Sequence, residues 1–228
     1  MNTISNETTP VRLELNGPVP DFEAQTTKGA IRLSEWAKNK WVILFSHPAD
    51  FTPVCTTEFV QFAKRQSEFE QKDVALLGCS VDSIYSHIAW ARNIQDKFGV
   101  KIGFPIIADL DGKVSRLYGM IHEHSSNTSA VRCVFFIDPK RILRAMIYYP
   151  MNVGRNFDEI MRVIDALQVA DANKVACPAN WTRGMDVIIP APVTMDDAEL
   201  RVESREYQVA DWYFAMKKLP ETSLRKGG

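Results

Sequence analysis

Cys55 has the clearest capacity for chemistry, set in Thr52-Pro53-Val54-Cys55-Thr56-Thr57-Glu58. Thr52 is a favoured N-cap type, and Pro53 suits the first helical position because its missing N–H would lack a partner there anyway. The order predicts a helix beginning near Pro53 with Cys55 in its first turn. Unpaired backbone N–H groups and the positive end of the helix dipole stabilise a thiolate at such a place. A free cysteine, ordinarily near pKa ~8.5, drops by roughly one or more units in that setting, and an adjacent arginine lowers it further. The competing reading of Cys55 alone is a small buried hydrophobe.

The other candidates need partners that the chain must bring from a distance. Arg132 heads an otherwise apolar strand, an unusual place for a charge unless it serves a site; otherwise it is a strand-end arginine reaching solvent. His47 either shapes access to Cys55 and tunes it, or is an ordinary strand-end histidine. Glu58 either orients an arginine or is a favourable acid in the first helical turn. Cys79 and Cys133 lie inside apolar runs and read as inert core thiols.

The elements that position these residues follow from periodicity. Trp41–His47 is a continuous apolar run with β-branched members, the pattern of a buried central strand. A turn-rich loop follows, then a helix from about Pro53 to Lys72 with Phe59, Phe62, Ala63 and Phe69 on one face. Val74–Val81 reads as a second buried strand, and Tyr85–Phe98 as a helix stopped by Gly99. Phe104–Ala108 reads as a short strand, Arg132–Ile137 and Ile142–Tyr149 as a hairpin, and Phe157–Val169 as an amphipathic helix. Strands alternating with helices predict an α/β fold, a sheet covered by helices on both faces. Residues 1–10 read as a flexible leader, 11–170 as the main domain and 171–228 as a C-terminal extension that is irregular from 178 onward. That extension is too small to be expected to bury its own aromatics, so it should pack on the main domain or on a partner subunit.

Pro48-x-x-x-Thr52-x-x-Cys55, between a strand and a helix, resembles the active-site signature of the peroxiredoxins, thiol peroxidases of the AhpC/TSA superfamily with a thioredoxin-like fold. Leu77–Ser83 (LGCSVDS), Phe104–Asp109 (FPIIAD), Arg132–Pro139 (RCVFFIDP) and Gly154–Ile160 (GRNFDEI) are similar to segments of the same family. Ser46-His47-Pro48 and the long tail after Cys177 resemble the one-cysteine subfamily. The resemblance implies that Cys55 is the peroxidatic nucleophile, that Thr52 holds the peroxide oxygens, that Pro48 shields the site from water, and that Arg132 stabilises the charge that moves from sulfur to the leaving oxygen. Arg155 matches a second arginine of the family's site, though by chemistry alone it is a surface flank of a helix start. No metal or organic cofactor is implied. Val175-Ala176-Cys177-Pro178 resembles the segment that carries the resolving cysteine of two-cysteine members. Two readings of Cys177 stay open: a disulfide with Cys55 of a partner subunit, or a solvent-facing thiol without a role. The matching region for a lipase serine, Lys28–Trp36, lacks the G-x-S-x-G elbow, so no lipase activity is expected.

Composition narrows the rest. Lysine plus arginine (27) nearly balance aspartate plus glutamate (28), which argues against broad capture of nucleic acid or anionic membrane. No run approaches the roughly 20 apolar residues of a membrane span. The polar start MNTISNETTP does not resemble a secretory signal, so a cytoplasmic location is expected, where four cysteines are not expected to form a structural disulfide framework. The family resemblance, not composition, implies the partners: a peroxide, a thiol reductant (a thioredoxin-like protein or a small thiol) and further copies of the chain, as a homodimer or a ring up to a decamer. Two rival functions are a Cys–His hydrolase using Cys55 and His47, and a redox-sensing or holdase-like oligomer.

Overall fold

The computed structural model describes residues 12–220; the leader expected at 1–10 lies outside them. In chain order the elements are β1 (Glu23–Thr26), β2 (Gly29–Arg32), α1 (Leu33–Trp36), β3 (Trp41–Ser46), α2 (Pro53–Glu70), β4 (Val74–Ser80), α3 (Ile84–Phe98), β5 (Ile106–Ala108), α4 (Lys113–Leu117), β6 (Arg132–Ile137), β7 (Leu143–Tyr149), α5 (Phe157–Asn173), β8 (Val187–Ile189), α6 (Met195–Glu203), β9 (Gln208–Asp211) and β10 (Phe214–Lys217). They group into two compact units, one ending at Arg155 and one beginning at Asn156. Helix α5 thus groups with the segments after it, whereas the sequence pattern counts it with the first domain. Among the described residues, no helix is long and apolar enough to cross a membrane.

The first unit is built around β3, all six residues of which are buried, as a strand covered on both faces requires. The sheet runs β2-β1-β5-β4-β3-β6-β7. Strands β3, β4 and β5 are parallel, while β6 runs antiparallel to β3, with Val42 opposite Ile137 and Phe45 opposite Val134. The two-residue side-chain period of β3 sends its residues to opposite faces. Phe45 stacks on Phe62 at 3.9 Å between ring centres and meets Phe59 and Phe104 edge-on at 5.6 Å. Gly78 passes beneath these rings, where a Cβ would lie 3.4 Å from both Phe45 and Phe59. On the other face Val42 and Leu44 join Leu33, Leu77, Cys79, Tyr118, Cys133 and Phe135 in a second buried cluster.

Helix ends fall where local chemistry stops them. Ser83 caps α3 by accepting from the Ser86 N–H, and Gly99 closes it in the left-handed conformation at φ 68°. The hairpin β1–β2 and the short helices α1 and α4 escape a pattern reading, because four or five residues carry too little periodicity to register.

The second unit corrects the expectation of an irregular tail. It holds helices α5 and α6 and a three-stranded antiparallel sheet in the order β8-β10-β9. It also has a small core of its own, in which Trp181 is fully buried with Val169, Val187 and Leu219. The Trp181 indole N–H donates to the Met185 carbonyl at 3.2 Å, which satisfies the ring's one polar atom.

Phe45→Ala removes a ring packed on three others and should lower unfolding free energy by about 3–5 kcal/mol. Urea denaturation of the full chain checks this, and a loss under about 1 kcal/mol would contradict the central place given to this cluster.

Candidate active site

Strand β3 ends at Ser46, and the chain then makes a loop through His47 to Phe51 before entering α2. Phe51 is held at φ 55°, a left-handed conformation that costs a non-glycine residue about 1–2 kcal/mol. Thr52 occupies the N-cap position in extended conformation and Pro53 is the first helical residue, as the sequence predicts. The capping bond itself is absent: the Thr52 hydroxyl donates back to the Ala49 carbonyl at 2.9 Å instead. That choice tightens the loop and leaves the hydroxyl oxygen's lone pairs to accept from another group. Pro48 is half-buried in the same loop.

Cys55 follows in the first turn of α2 and is fully buried. Arg132, the first residue of β6, points an Nη1–H at the Cys55 sulfur from 3.3 Å. The same nitrogen lies 2.7 Å from Glu58 Oε2, and the Nε and Nη2 groups of Arg132 donate to the Met151 carbonyl at 3.0 and 2.7 Å. Glu58 also receives Arg155, through its backbone N–H at 2.9 Å, Nε at 3.0 Å and Nη2 at 2.6 Å. The remaining Arg155 nitrogen donates to the carbonyls of Ser46 and Cys133 at 2.9 and 3.0 Å. One carboxylate therefore holds two guanidinium groups, and all three side chains are at least 97% buried. Arg155 is part of this cluster and not a surface flank.

The two carbonyls that hold Arg155 belong to neighbouring strands, β3 and β6. Ser46 ties those strands together, donating to the Val131 carbonyl at 2.5 Å and accepting from the Cys133 N–H at 3.1 Å. Sequence reasoning misses Ser46 and the Met151 carbonyl, which give no local signal because their partners lie far along the chain.

His47 is buried with its ring against Phe59 at 4.7 Å and Trp90 at 5.2 Å, both between ring centres. The Trp90 indole donates to Thr56, the residue after Cys55, at 3.3 Å. His47 Nε2 lies 2.8 Å from Asp50 Oδ1, and His87 Nδ1 lies 2.8 Å from Asp50 Oδ2. Burial pushes the His47 pKa down despite the pull of Asp50. For Asp50 burial alone would act upwards, but hydrogen bonds from both histidines outweigh it and hold the carboxyl well below the usual range. Asp50 and His87 are not singled out by the sequence. Asp50 sits three residues after His47, a spacing that a strand-end loop does not advertise.

Two of the remaining thiols lie in the core of the first unit. Burial drives the Cys79 thiol far up and that of Cys133 up to about 12, so neither offers a thiolate near neutral pH. Cys177, in the second unit, is half-buried, its S–H directed at the Ala166 carbonyl at 3.6 Å. Burial raises its pKa against the opposing charge of Arg162. The hydrolase alternative loses ground here, since the charged donor on the Cys55 sulfur is an arginine and not a histidine.

The same arrangement of elements has known relatives. Residues 15–146 match the AhpC/TSA family, and residues 166–205 match the C-terminal domain of 1-Cys peroxiredoxin. A peroxiredoxin of Aquifex aeolicus is 53% identical over 90% of this chain and 96% of its own length. A peroxiredoxin of Thermoplasma volcanium is 52% identical over 90% of this chain and 98% of its own. Among solved structures, a yeast mitochondrial 1-Cys peroxiredoxin superposes with a TM-score of 0.82 at 41% identity, covering 91% of this chain and all of that one. A cysteine-to-serine mutant of the peroxiredoxin 6 of Arenicola marina gives 0.82 at 34% identity, covering 92% and 100%. With these matches spanning both the unit that holds Cys55 and the extension that follows it in the chain, the protein belongs to the peroxiredoxins, thiol-dependent peroxidases of thioredoxin-like fold.

Proposed function

We propose that Cys55 is the peroxidatic nucleophile, and that the observation carrying this reading is the Arg132 guanidinium held 3.3 Å from its sulfur by a buried carboxylate. The sulfur lone pair attacks one oxygen of a hydroperoxide, and the O–O bond breaks with its electron pair going to the far oxygen. That oxygen leaves as water or an alcohol once it takes up a proton, and Cys55 is left as a sulfenic acid. Arg132 is a fixed cation where negative charge passes from sulfur towards oxygen, and it needs no reorganisation during the step. The Thr52 oxygen accepts an O–H of the peroxide, and Pro48 limits the water around it.

The reductant closes the cycle. We assign that role to an external thiol, because the Cys177 S–H is directed at Ala166 and its pKa is raised, both of which weaken it as a nucleophile. The alternative, a disulfide between Cys55 and Cys177 of another copy, is an outcome of the same test. Thioredoxin or glutathione fits as the thiol source; the yeast relative is resolved by glutathione and thioredoxin systems. The four unpaired cysteines fit a reducing cytoplasm. Exposed Trp212 and Tyr213 of the second unit support assembly with further copies of the chain.

Equimolar hydrogen peroxide added to the reduced protein should put oxygen on Cys55 in the wild type and in Cys177→Ser, seen by intact mass, and leave Cys55→Ser unchanged. A covalent dimer lost in both variants would instead establish the two-cysteine cycle. Equal reaction of Cys55→Ser would refute the assignment of the nucleophile. Light scattering of the full chain should return a multiple of 25.8 kDa; a 25.8 kDa particle would contradict the assembly.

A further inference from the structure

The buried triad His47–Asp50–His87 holds more protonatable groups than a peroxidase site of Cys55, Thr52 and Arg132 requires. Its hydrogen bonds fix where the protons are. His87 Nε2 lies 3.0 Å from the Ile107 carbonyl and its Nδ1 lies 2.8 Å from Asp50. A carbonyl only accepts, and so does an ionised carboxylate, so both nitrogens of His87 carry protons and the ring is a cation. His47 Nε2 donates to the second oxygen of Asp50. Its Nδ1 is buried without a hydrogen-bond partner among the described residues. A protonated Nδ1 in that position would be a buried, charged, unpaired donor, the costlier alternative. His47 is therefore neutral and Nδ1 is a bare acceptor.

Charge balance explains why this arrangement needs His87. Asp50 is a nearly fully buried carboxylate, with side-chain exposure of 1%. Such a charge requires a positive partner. With His87 as that partner, His47 is relieved of the duty and keeps its lone pair. Asp82 is the other acid nearby; its carboxylate is engaged by the Asp50 backbone N–H at 3.1 Å and the Ser80 hydroxyl at 2.6 Å. The ligand atoms of the three side chains lie within 4.8 Å of one another, close enough to raise the question of a metal ion. The two N···O separations of 2.8 Å are hydrogen-bond distances, however, and are shorter than the roughly 3.3 Å between ligand atoms on a tetrahedral zinc.

We propose that His87 is a positioning residue of the peroxidatic site: as the buried counter-charge of Asp50, it keeps His47 neutral with Nδ1 open to accept the second O–H of incoming hydrogen peroxide, the first being accepted by Thr52. This rests on the peroxidase reading of Cys55. His47 directly precedes Pro48 and packs on Phe59 of α2 and on Trp90, whose indole donates to Thr56, the residue after Cys55, and these contacts tie it to the peroxidatic loop and helix. His87 reaches the site through its hydrogen bond to Asp50 and a tilted ring contact with His47 at 6.0 Å between centres.

Two substitutions separate this role from simple packing. His87→Asn keeps a hydrogen-bond donor for Asp50 but removes the positive charge, so the balancing proton moves to His47 and closes Nδ1. Asp50→Asn removes the need for a counter-charge. Its amide oxygen accepts from His47 Nε2, its NH2 donates to a now neutral His87, and Nδ1 stays open. The residue in direct contact with His47 is thus the less harmful one to change, the reverse of what proximity alone predicts.

The test uses full-length protein labelled with 15N-histidine at pH 7, with His122 and His124 as internal references, alongside stopped-flow oxidation of Cys55 by hydrogen peroxide. The wild type should show His87 protonated on both nitrogens and His47 on Nε2 alone. His87→Asn should protonate His47 Nδ1 and oxidise about tenfold more slowly than Asp50→Asn, the scale of one lost hydrogen bond. A His47 that keeps its bare Nδ1 in His87→Asn, or an Asp50→Asn variant that is the slower of the two, overturns the proposal. Should His87→Asn fail to fold, Asp50→Asn decides: loss of the His87 Nδ1 proton supports it and retention overturns it. A wild type inert to peroxide would count against the peroxidase reading, while the spectra still judge the proton placement.

Discussion

Glu58 is the residue on which the site depends, because it fixes two buried arginines with one carboxylate. Each guanidinium taken out of water costs several kcal/mol unless it is paired and its N–H groups are satisfied. Here the pairing is extensive. Arg132 reaches Glu58, the Met151 carbonyl and the Cys55 sulfur, and Arg155 reaches Glu58 and two strand carbonyls. Arg155 also lies over the rings of Phe45 and Phe62, at 5.2 and 5.5 Å, so the aromatic face of the sheet supports the charge cluster from below. Without Glu58 the two like charges would repel, and Arg132 would be held beside the sulfur by the Met151 carbonyl alone.

The sheet order makes this cluster possible. Cys55 and Glu58 come from one helix, three residues apart and so on one side of it. Arg132 comes from β6, which runs antiparallel beside β3, and β3 leads directly into the loop before α2. The head of β6 and the end of β3 therefore meet at the start of that helix. A buried strand can begin with an arginine here because the charge is consumed at the strand's end, where the helix offers an acid and a thiol.

Much of this is legible in the sequence, and the parts that are not have physical reasons. The strand β3, the helix start at Pro53 and the hairpin β6–β7 show themselves through unbroken apolar runs and cap chemistry. Arg132 stands out as a charge in an apolar context, and Glu58 through its spacing from Cys55. The Thr52 side chain does not cap, since a loop carbonyl competes successfully for its hydroxyl. Arg155 looks chemically ordinary, because its burial is decided by Glu58, 97 residues earlier. The pairing of Asp50 with His87 spans 37 residues and has no periodic signature either. The second unit reads as irregular because its strands have only three or four residues each, and its core gathers residues from four separate segments.

The central claim is that Glu58 acts on Cys55 through Arg132, and a double-mutant cycle in the rate of Cys55 oxidation by hydrogen peroxide tests it most directly. Glu58→Gln and Arg132→Met would each be measured alone and together by stopped flow. Arg132→Met should cost about 10²–10³ in rate, the scale of losing a charge-stabilising donor. Glu58→Gln should cost a large part of that, and adding it to Arg132→Met should change the rate by less than about threefold. If the two losses multiply instead, Glu58 serves the reaction independently of Arg132 and the account of this site is wrong.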